Sequence, residues 1–130
     1  MRRIVILAVF AAVVVVLVPA AASAHHRPTS YCSPTGDICQ STTKVNGVRM
    51  LKVRLAAEFF TRYRLCVTPP QGPRTCKGFR VHEVAGGIFA SSVRWAAQFP
   101  DGGPGAYKVT WRSRPGDSRI GHALGFHVTA

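Results

Sequence analysis

The sequence predicts an all-β protein, an antiparallel β-sandwich of about six to seven short strands. Apolar and polar residues alternate in several short segments, which is the pattern of strands with one buried face. Turn-forming residues separate these segments about every 8 to 12 positions. Beyond residue 30, no segment keeps the apolar period that is typical of a helix.

The first strands are defined by the turns beside them. Asn46-Gly47 is a turn signal, and residues 48–57 follow it with apolar side chains at alternate positions. Residues 60–67 and 76–82 are predicted to form the next two strands, because both are alternating segments and a Pro-Pro-Gln-Gly-Pro turn lies between them.

The later strands are separated by glycine and proline. We predict them at 88–96, 107–112 and 124–128. Gly86-Gly87 precedes the first of these, and segments rich in proline and glycine, 99–105 and 115–121, precede the other two. Trp95 and Trp111 are in phase with the apolar positions, so we expect both in the core rather than on the surface as platforms for sugar stacking.

The amino terminus has the features of a secretory signal. Met1-Arg2-Arg3 is positively charged, Ile4 to Val18 is an apolar run, and Ala22-Ser23-Ala24 is a small-residue cleavage site. An uncleaved membrane anchor is the alternative, because Ile4 to Ala22 approaches the roughly 20 residues needed to span a bilayer. In both cases the positive residues stay inside and the body of the protein faces outward.

Cleavage after Ala24 would leave 106 of the 130 residues, enough for one domain. We therefore divide the chain into a signal peptide (1–24), an N-terminal tail with a disulfide loop (25–41) and a β-sandwich domain (42–130). Removing Arg2 and Arg3 leaves 15 basic residues against five acidic ones, a net charge of +10. This balance favours anionic partners such as lipid headgroups or acidic envelope polymers, and export makes nucleic acid an unlikely one.

The cysteines are predicted to form two disulfides. Their even number in a small exported chain is typical of an oxidising compartment. Their spacings, C-x6-C and C-x9-C, differ from the knuckles of zinc sites, and the chain contains no C-x-x-C redox motif. The four residues are Cys32, Cys39, Cys66 and Cys76.

Strand parity favours local pairing among the three possible connectivities. If Cys66 lies opposite Cys76 in a hairpin, both sulfur atoms point outward, because side chains alternate along a strand. The same register turns four apolar residues toward the core: Tyr63, Leu65, Phe79 and Val81. We therefore predict the pairs Cys66–Cys76 and Cys32–Cys39.

Two resemblances refine the fold. The stretch from Asp101 through Gly105-Ala106-Tyr107 to Val109 resembles the tyrosine corner of immunoglobulin-like domains, and Val109 stands where antibody domains have a cysteine. The exported part also resembles uncharacterised small secreted proteins of actinobacteria. The stretches that carry this second resemblance are Cys32–Cys39, Cys66–Pro70, Phe99-Pro100, Gly105–Trp111 and Leu124–Phe126. Both imply an immunoglobulin-like β-sandwich and neither implies an activity.

Catalysis finds little support in the sequence. There is no G-x-S-x-G motif, and oxidised cysteines offer no thiolate. The carboxylates are scattered over turns and strand ends, and Asp37 and Asp101 are expected to stabilise their own turns. We therefore predict that the protein is not an enzyme.

The histidines suggest an alternative function. Cleavage after Ala24 would place His25 at the amino terminus, where its amine and imidazole, with His26, would form a nitrogen-rich site suited to Cu(II). Secreted copper-binding β-sandwiches of the copper-resistance type use an N-terminal histidine in this way, and Asp117 to His122 resembles part of their last hairpin. The candidate metal ligands are therefore His25, His26 and His122. The alternative is a polar tail with histidines on the strand surface and no cofactor.

The arginines suggest the main function. Pairing Cys66 with Cys76 sets Arg62 opposite Arg80, with Arg64 on the same outward face. An anion lying across these guanidinium groups would offset the repulsion of like charges; arginines extending into water are the alternative. We thus predict a secreted, non-catalytic binding or structural module at the cell envelope, whose partner is a protein or an anionic polymer.

Overall fold

The computed structural model describes residues 26–130, which form two antiparallel sheets. The predicted signal peptide and His25 lie outside the described residues. Within residues 26–130, no helix has the length and apolar character needed to cross a membrane. The predicted all-β sandwich is confirmed.

Ten strands and one short helix make up the fold. The strands are β1 (Ser30–Cys32), β2 (Ile38–Ser41), β3 (Lys44–Val45), β4 (Val48–Leu55), β5 (Arg62–Thr68), β6 (Thr75–Arg80), β7 (His82–Ala85), β8 (Ile88–Arg94), β9 (Gly105–Arg114) and β10 (Arg119–Val128); the helix is α1 (Trp95–Gln98), between β8 and β9. The six longest strands are the six segments expected from the sequence. The four short strands were not predicted. Neither was α1, because a strand was expected to continue through residue 96.

The order of the strands is that of an immunoglobulin-like sandwich. One sheet runs β1-β2-β4-β8-β7, with β3 paired to β4, and the other runs β10-β9-β5-β6. Immunoglobulin constant domains place strands A, B, E and D in one sheet and C, F and G in the other. The strands β2, β4, β8 and β7 correspond to the first set and β5, β9 and β10 to the second, with β6 added at the edge.

The core lies between the two sheets, as the alternation of the sequence requires. Side chains of β4, β5, β9 and β10 that point inward are almost completely buried, and Trp111 and Leu65 are fully so. Phe79 packs against this cluster at its edge. Both tryptophans are buried, as expected, although Trp95 begins α1 rather than extending β8.

Residues 30–41, assigned from the sequence to a tail and a disulfide loop, form β1 and β2 of the first sheet. The second of these strands pairs with β4 from Ile38 opposite Leu55 to Ser41 opposite Lys52. Buried polar contacts fix this segment: Gln40 Nε2 donates a hydrogen bond to the Ile120 carbonyl at 3.1 Å.

Both disulfides join the cysteine pairs that strand parity favoured. Cys32 lies opposite Cys39 in the β1–β2 pair, and Cys66 lies opposite Cys76 in the β5–β6 pair. Their formation requires an oxidising environment.

Tyr107 closes the turn before β9 in the manner of a tyrosine corner. Its hydroxyl accepts a hydrogen bond from the Gly102 N–H at 2.9 Å and donates one to the Gly103 carbonyl at 2.8 Å. Asp101 Oδ1 accepts from the Gly103 N–H at 2.8 Å, so the acid stabilises the same turn, as predicted. The hydroxyl of Tyr107 thereby satisfies backbone groups at the entrance of a central strand.

Replacing Tyr107 with phenylalanine should lower the free energy of unfolding by about 1–2 kcal/mol, because the Gly102 N–H and Gly103 carbonyl lose their partner. Urea denaturation measures the loss. The matched control is Tyr31→Phe, which removes the same atom from a hydroxyl that makes no hydrogen bond with the described residues. Equal stability of the two variants would show that the corner contributes nothing.

Candidate functional site

The outward face of the second sheet carries three arginines in one row across its strands. Arg62 on β5 lies directly opposite Arg80 on β6, which is the register expected from the cysteine pair. On its other side, Arg62 lies opposite Arg114 on β9. Neighbouring strands are about 4.8 Å apart, so three guanidinium groups begin from adjacent backbone positions and share one face. All three residues are exposed.

A second row of arginines lies two residues further along the same face. Arg64 is opposite Gly78 on one side and Arg112 on the other, and Arg112 is in turn opposite Arg119 on β10. The two rows together form what we call the arginine face: Arg62, Arg64, Arg80, Arg112, Arg114 and Arg119. It spans all four strands of the sheet.

Asp117, from the turn between β9 and β10, contacts two arginines of this face. Its Oδ1 lies 3.1 Å from Arg112 Nε and 3.4 Å from Arg64 Nη2, and its carbonyl accepts a hydrogen bond from Arg112 Nη2 at 2.6 Å. Arg64 Nη2 also donates a hydrogen bond to Asp117 Oδ2 at 3.5 Å. Three buried atoms there have no hydrogen-bond partner among the described residues: Arg64 Nε, Arg112 Nε and Asp117 Oδ1. These side chains are about one-third exposed, and such ion pairs contribute little stability.

The other four arginines of the face form no ion pair with an acid of the described chain. The two ion pairs there both use Asp117. Six guanidinium groups therefore share one carboxylate, and guanidinium remains charged at any physiological pH. The face is consequently a field of positive charge that an anion of several charges would complement.

A cavity of about 290 Å³ lies within the first row. Arg62, Arg80 and Arg114 line it, together with Gly78 and the neighbouring residues Tyr63 and Phe79. Because Gly78 lacks a side chain, the outward position opposite Arg64 is open, and an added Cβ would meet nothing closer than 4.0 Å. Three guanidinium groups around an open cavity can surround one phosphate or carboxylate group.

Lys52 and Arg54 do not extend this face. They lie on β4 in the other sheet, where they pair with β2 and β8 and point away from the arginine face. The sequence left open whether their strand adjoined the arginines, and the structure shows that it does not.

The two predicted metal ligands within residues 26–130, His26 and His122, have different surroundings. The ring of His122 packs against Tyr31, with centroids 4.2 Å apart, while His26 lines a cavity of about 210 Å³ beside His127. His25 lies outside the described residues. Among residues 26–130, no group of three histidine, cysteine or acidic side chains is placed to hold a metal ion. The copper site, which depends on His25, stays a prediction.

Three of the five carboxylates stabilise their own turns. Asp37 accepts a hydrogen bond from the Thr35 hydroxyl at 2.7 Å, and Glu83 accepts one from the Gly87 N–H at 2.8 Å. Asp101 accepts a hydrogen bond from the Gly103 N–H at the tyrosine corner, and Asp117 contacts the arginine face. The four acids therefore lie in different parts of the fold.

Sequence reasoning found half of the arginine face. It identified Arg62, Arg64 and Arg80 from the hairpin register but not Arg112, Arg114 and Arg119. Of these, only Arg112 lay in a predicted strand; Arg114 lies just beyond that strand, and Arg119 was assigned to the turn at 115–121. The pairing of β9 with β5 and β10 brings them beside the hairpin.

The chain was compared with protein families, curated proteins and solved structures, and none of them is significantly similar to it.

Proposed function

We propose that the protein is a secreted, non-catalytic binding module that attaches to an anionic polymer of the cell envelope through its arginine face. The observation that carries the proposal is the row Arg80-Arg62-Arg114, in which like charges lie directly opposite one another on adjacent strands. Such pairs destabilise a sheet. A bound polyanion would offset this cost.

The spacing of the arginines suits a repeating anion. Charges recur about every 4.8 Å across the strands, and the second row lies about 7 Å along them. A polymer with one phosphodiester or carboxylate per repeat can contact several guanidinium groups at once, each by a bidentate pair. Its binding would be electrostatic and therefore sensitive to salt.

The test is the double variant Arg62→Ala/Arg80→Ala. We expect it to bind soluble poly(glycerol phosphate) at least about tenfold more weakly than the wild type at low salt. The slope of log affinity against log salt should become less negative by about one to two, because two phosphate contacts are lost. Polyglutamate and vesicles with phosphatidylglycerol serve as the other probes. Affinities are measured by fluorescence anisotropy or sedimentation.

The chain provides a matched control. Lys52→Ala/Arg54→Ala removes the same two positive charges from the outer face of the other sheet, so net charge is equal in the two double variants. Equal loss in both would show that only net charge matters and would contradict a defined site. Binding to vesicles without binding to either polymer would replace the polymer by a lipid surface.

A further inference from the structure

A second cavity, of about 490 Å³, shares no lining residue with the cavity among the arginines. We call it the end cavity. Its walls come from three parts of the chain: the β3–β4 hairpin, α1 and the end of β10. The residues that line it are Lys44, Gly47, Val48, Arg49, Trp95, Ala96, His127, Val128 and Thr129. Its volume is within the range of small-molecule sites.

One side of the end cavity is apolar. Val48 is 38% exposed although it is a strand residue with an apolar side chain, and Val128 and Ala96 are placed around the same space. Trp95 also lines this space, and its ring packs edge-on against Phe126 at 5.2 Å. An aliphatic chain lying here would remove this apolar surface from water.

The other side carries two cations. The Arg49 guanidinium lies over the Phe126 ring at 4.7 Å, and Nη1 donates a hydrogen bond to the Thr42 carbonyl at 2.8 Å. No acid of the described chain pairs with Arg49 or with Lys44. Burial lowers the pKa of Arg49 from its usual value, which reflects a partly desolvated charge.

A buried donor in the cavity wall also lacks an acceptor. Trp95 is 9% exposed, and its Nε1 has no hydrogen-bond partner among the described residues. Leaving a buried N–H unsatisfied is costly, but this atom is itself shielded from solvent, so an oxygen atom of a ligand reaches it only if the indole ring moves. Trp111 Nε1 also has no partner there, but that residue lies in the core and does not line the end cavity.

We propose that the end cavity binds a monocarboxylate with an aliphatic chain, of the fatty-acid type. The chain would lie against Val48, Val128 and Trp95. The carboxylate would accept hydrogen bonds from Arg49 and Lys44. A polyanion suits this site poorly, because half of its wall is apolar. The site is separate from the arginine face, so either proposal can fail without the other.

Nuclear magnetic resonance of the indole N–H groups tests the proposal directly. The chain has two tryptophans, so a spectrum of the ¹⁵N-labelled protein contains two indole signals, which Trp95→Phe assigns. Titration with octanoate below its micellar concentration should shift the Trp95 signal and leave the Trp111 signal in place. The neutral analogue 1-octanol should bind at least about tenfold more weakly than octanoate, because it lacks the negative charge.

Variants locate the carboxylate. Lys44→Gln, at an exposed position that does not threaten folding, and Arg49→Gln should each weaken octanoate binding about three- to tenfold and leave octanol binding unchanged. The matched control is Lys52→Gln, which removes one charge from the same sheet outside the end cavity. Each of three results would overturn the proposal. The indole signals could stay unmoved, octanol and octanoate could bind equally, or Lys52→Gln could weaken octanoate binding as much as Lys44→Gln does.

Discussion

Replacing Cys66 and Cys76 together with alanine should lower the free energy of unfolding by about 2.7 kcal/mol, because the disulfide closes a loop of 10 residues and restricts the unfolded chain. In a domain of this size, that loss corresponds to a decrease in melting temperature of about 10–20 °C. Both the denaturant midpoint and the thermal midpoint report it. The loss should be independent of ionic strength, since no charge is removed.

The pair Cys32→Ala/Cys39→Ala is the control for this prediction. Its loop is shorter, 7 residues, so the expected loss is about 2.3 kcal/mol. Stability that does not change in the Cys66→Ala/Cys76→Ala variant would mean that the β5–β6 pair is held by its other contacts alone. Adding a reductant to the wild-type protein should lower its stability by more than either pair of substitutions does alone.

The Cys66–Cys76 disulfide also bears on the arginine face. It lies on the same outward surface and joins β5 to β6 in the register that sets Arg62 opposite Arg80. A shift of one residue would turn the arginines toward the core and Tyr63 toward water. The disulfide therefore secures the register as well as the stability. At temperatures where the variant stays folded, we expect its arginine face to be intact.

Local pairing explains what the sequence predicted well. The β5–β6 hairpin is closed by a short turn, so parity alone fixed Cys66 opposite Cys76 and Arg62 opposite Arg80. Arg114 was missed because its place depends on the contact of β9 with β5, and its partner Arg62 is 52 positions away in the sequence. Several arrangements of sheet neighbours satisfy the same alternation, and periodicity does not choose among them.

Polar residues explain why β1 and β2 resembled a tail. Gln40 and Thr42 are buried, a position in which sequence patterns expect apolar side chains. Both are satisfied by β10: Gln40 bonds to the Ile120 carbonyl, and the Thr42 hydroxyl donates to the Gly125 carbonyl at 2.7 Å. Their partners lie 80 and 83 positions away, so no local signal marks these residues as part of the core.

The end cavity was hidden for the same reason. Arg49 belongs to β4, Trp95 begins α1 and His127 belongs to β10, and all three line the cavity. In the sequence, Val48 and Arg49 are simply the start of an alternating strand. Only the packing of α1 beside that strand shows that their side chains border one cavity.

The protein should lose stability at alkaline pH as Tyr63 ionises. Burial raises the pKa of Tyr63 from its usual value of 10 to about 12, while its hydrogen bond to Ser91 partly opposes the rise. Between these two values the unfolded chain has lost the proton that the folded chain still binds. The free energy of unfolding therefore falls as pH rises from 10 toward 12, by up to about 2.7 kcal/mol, and this contribution is fully retained below pH 10.

Urea denaturation at a series of alkaline pH values measures this dependence, and Tyr63→Phe identifies its source. The variant cannot ionise at that position, so its stability should decline less steeply between pH 10 and pH 12. Some decline should persist, because burial also raises the pKa of Tyr107. If the wild type and Tyr63→Phe decline in parallel, the buried hydroxyl of Tyr63 is not the group that limits stability in alkali. Such a result would assign the decline to other groups that titrate in alkali, among them Tyr107 at the tyrosine corner.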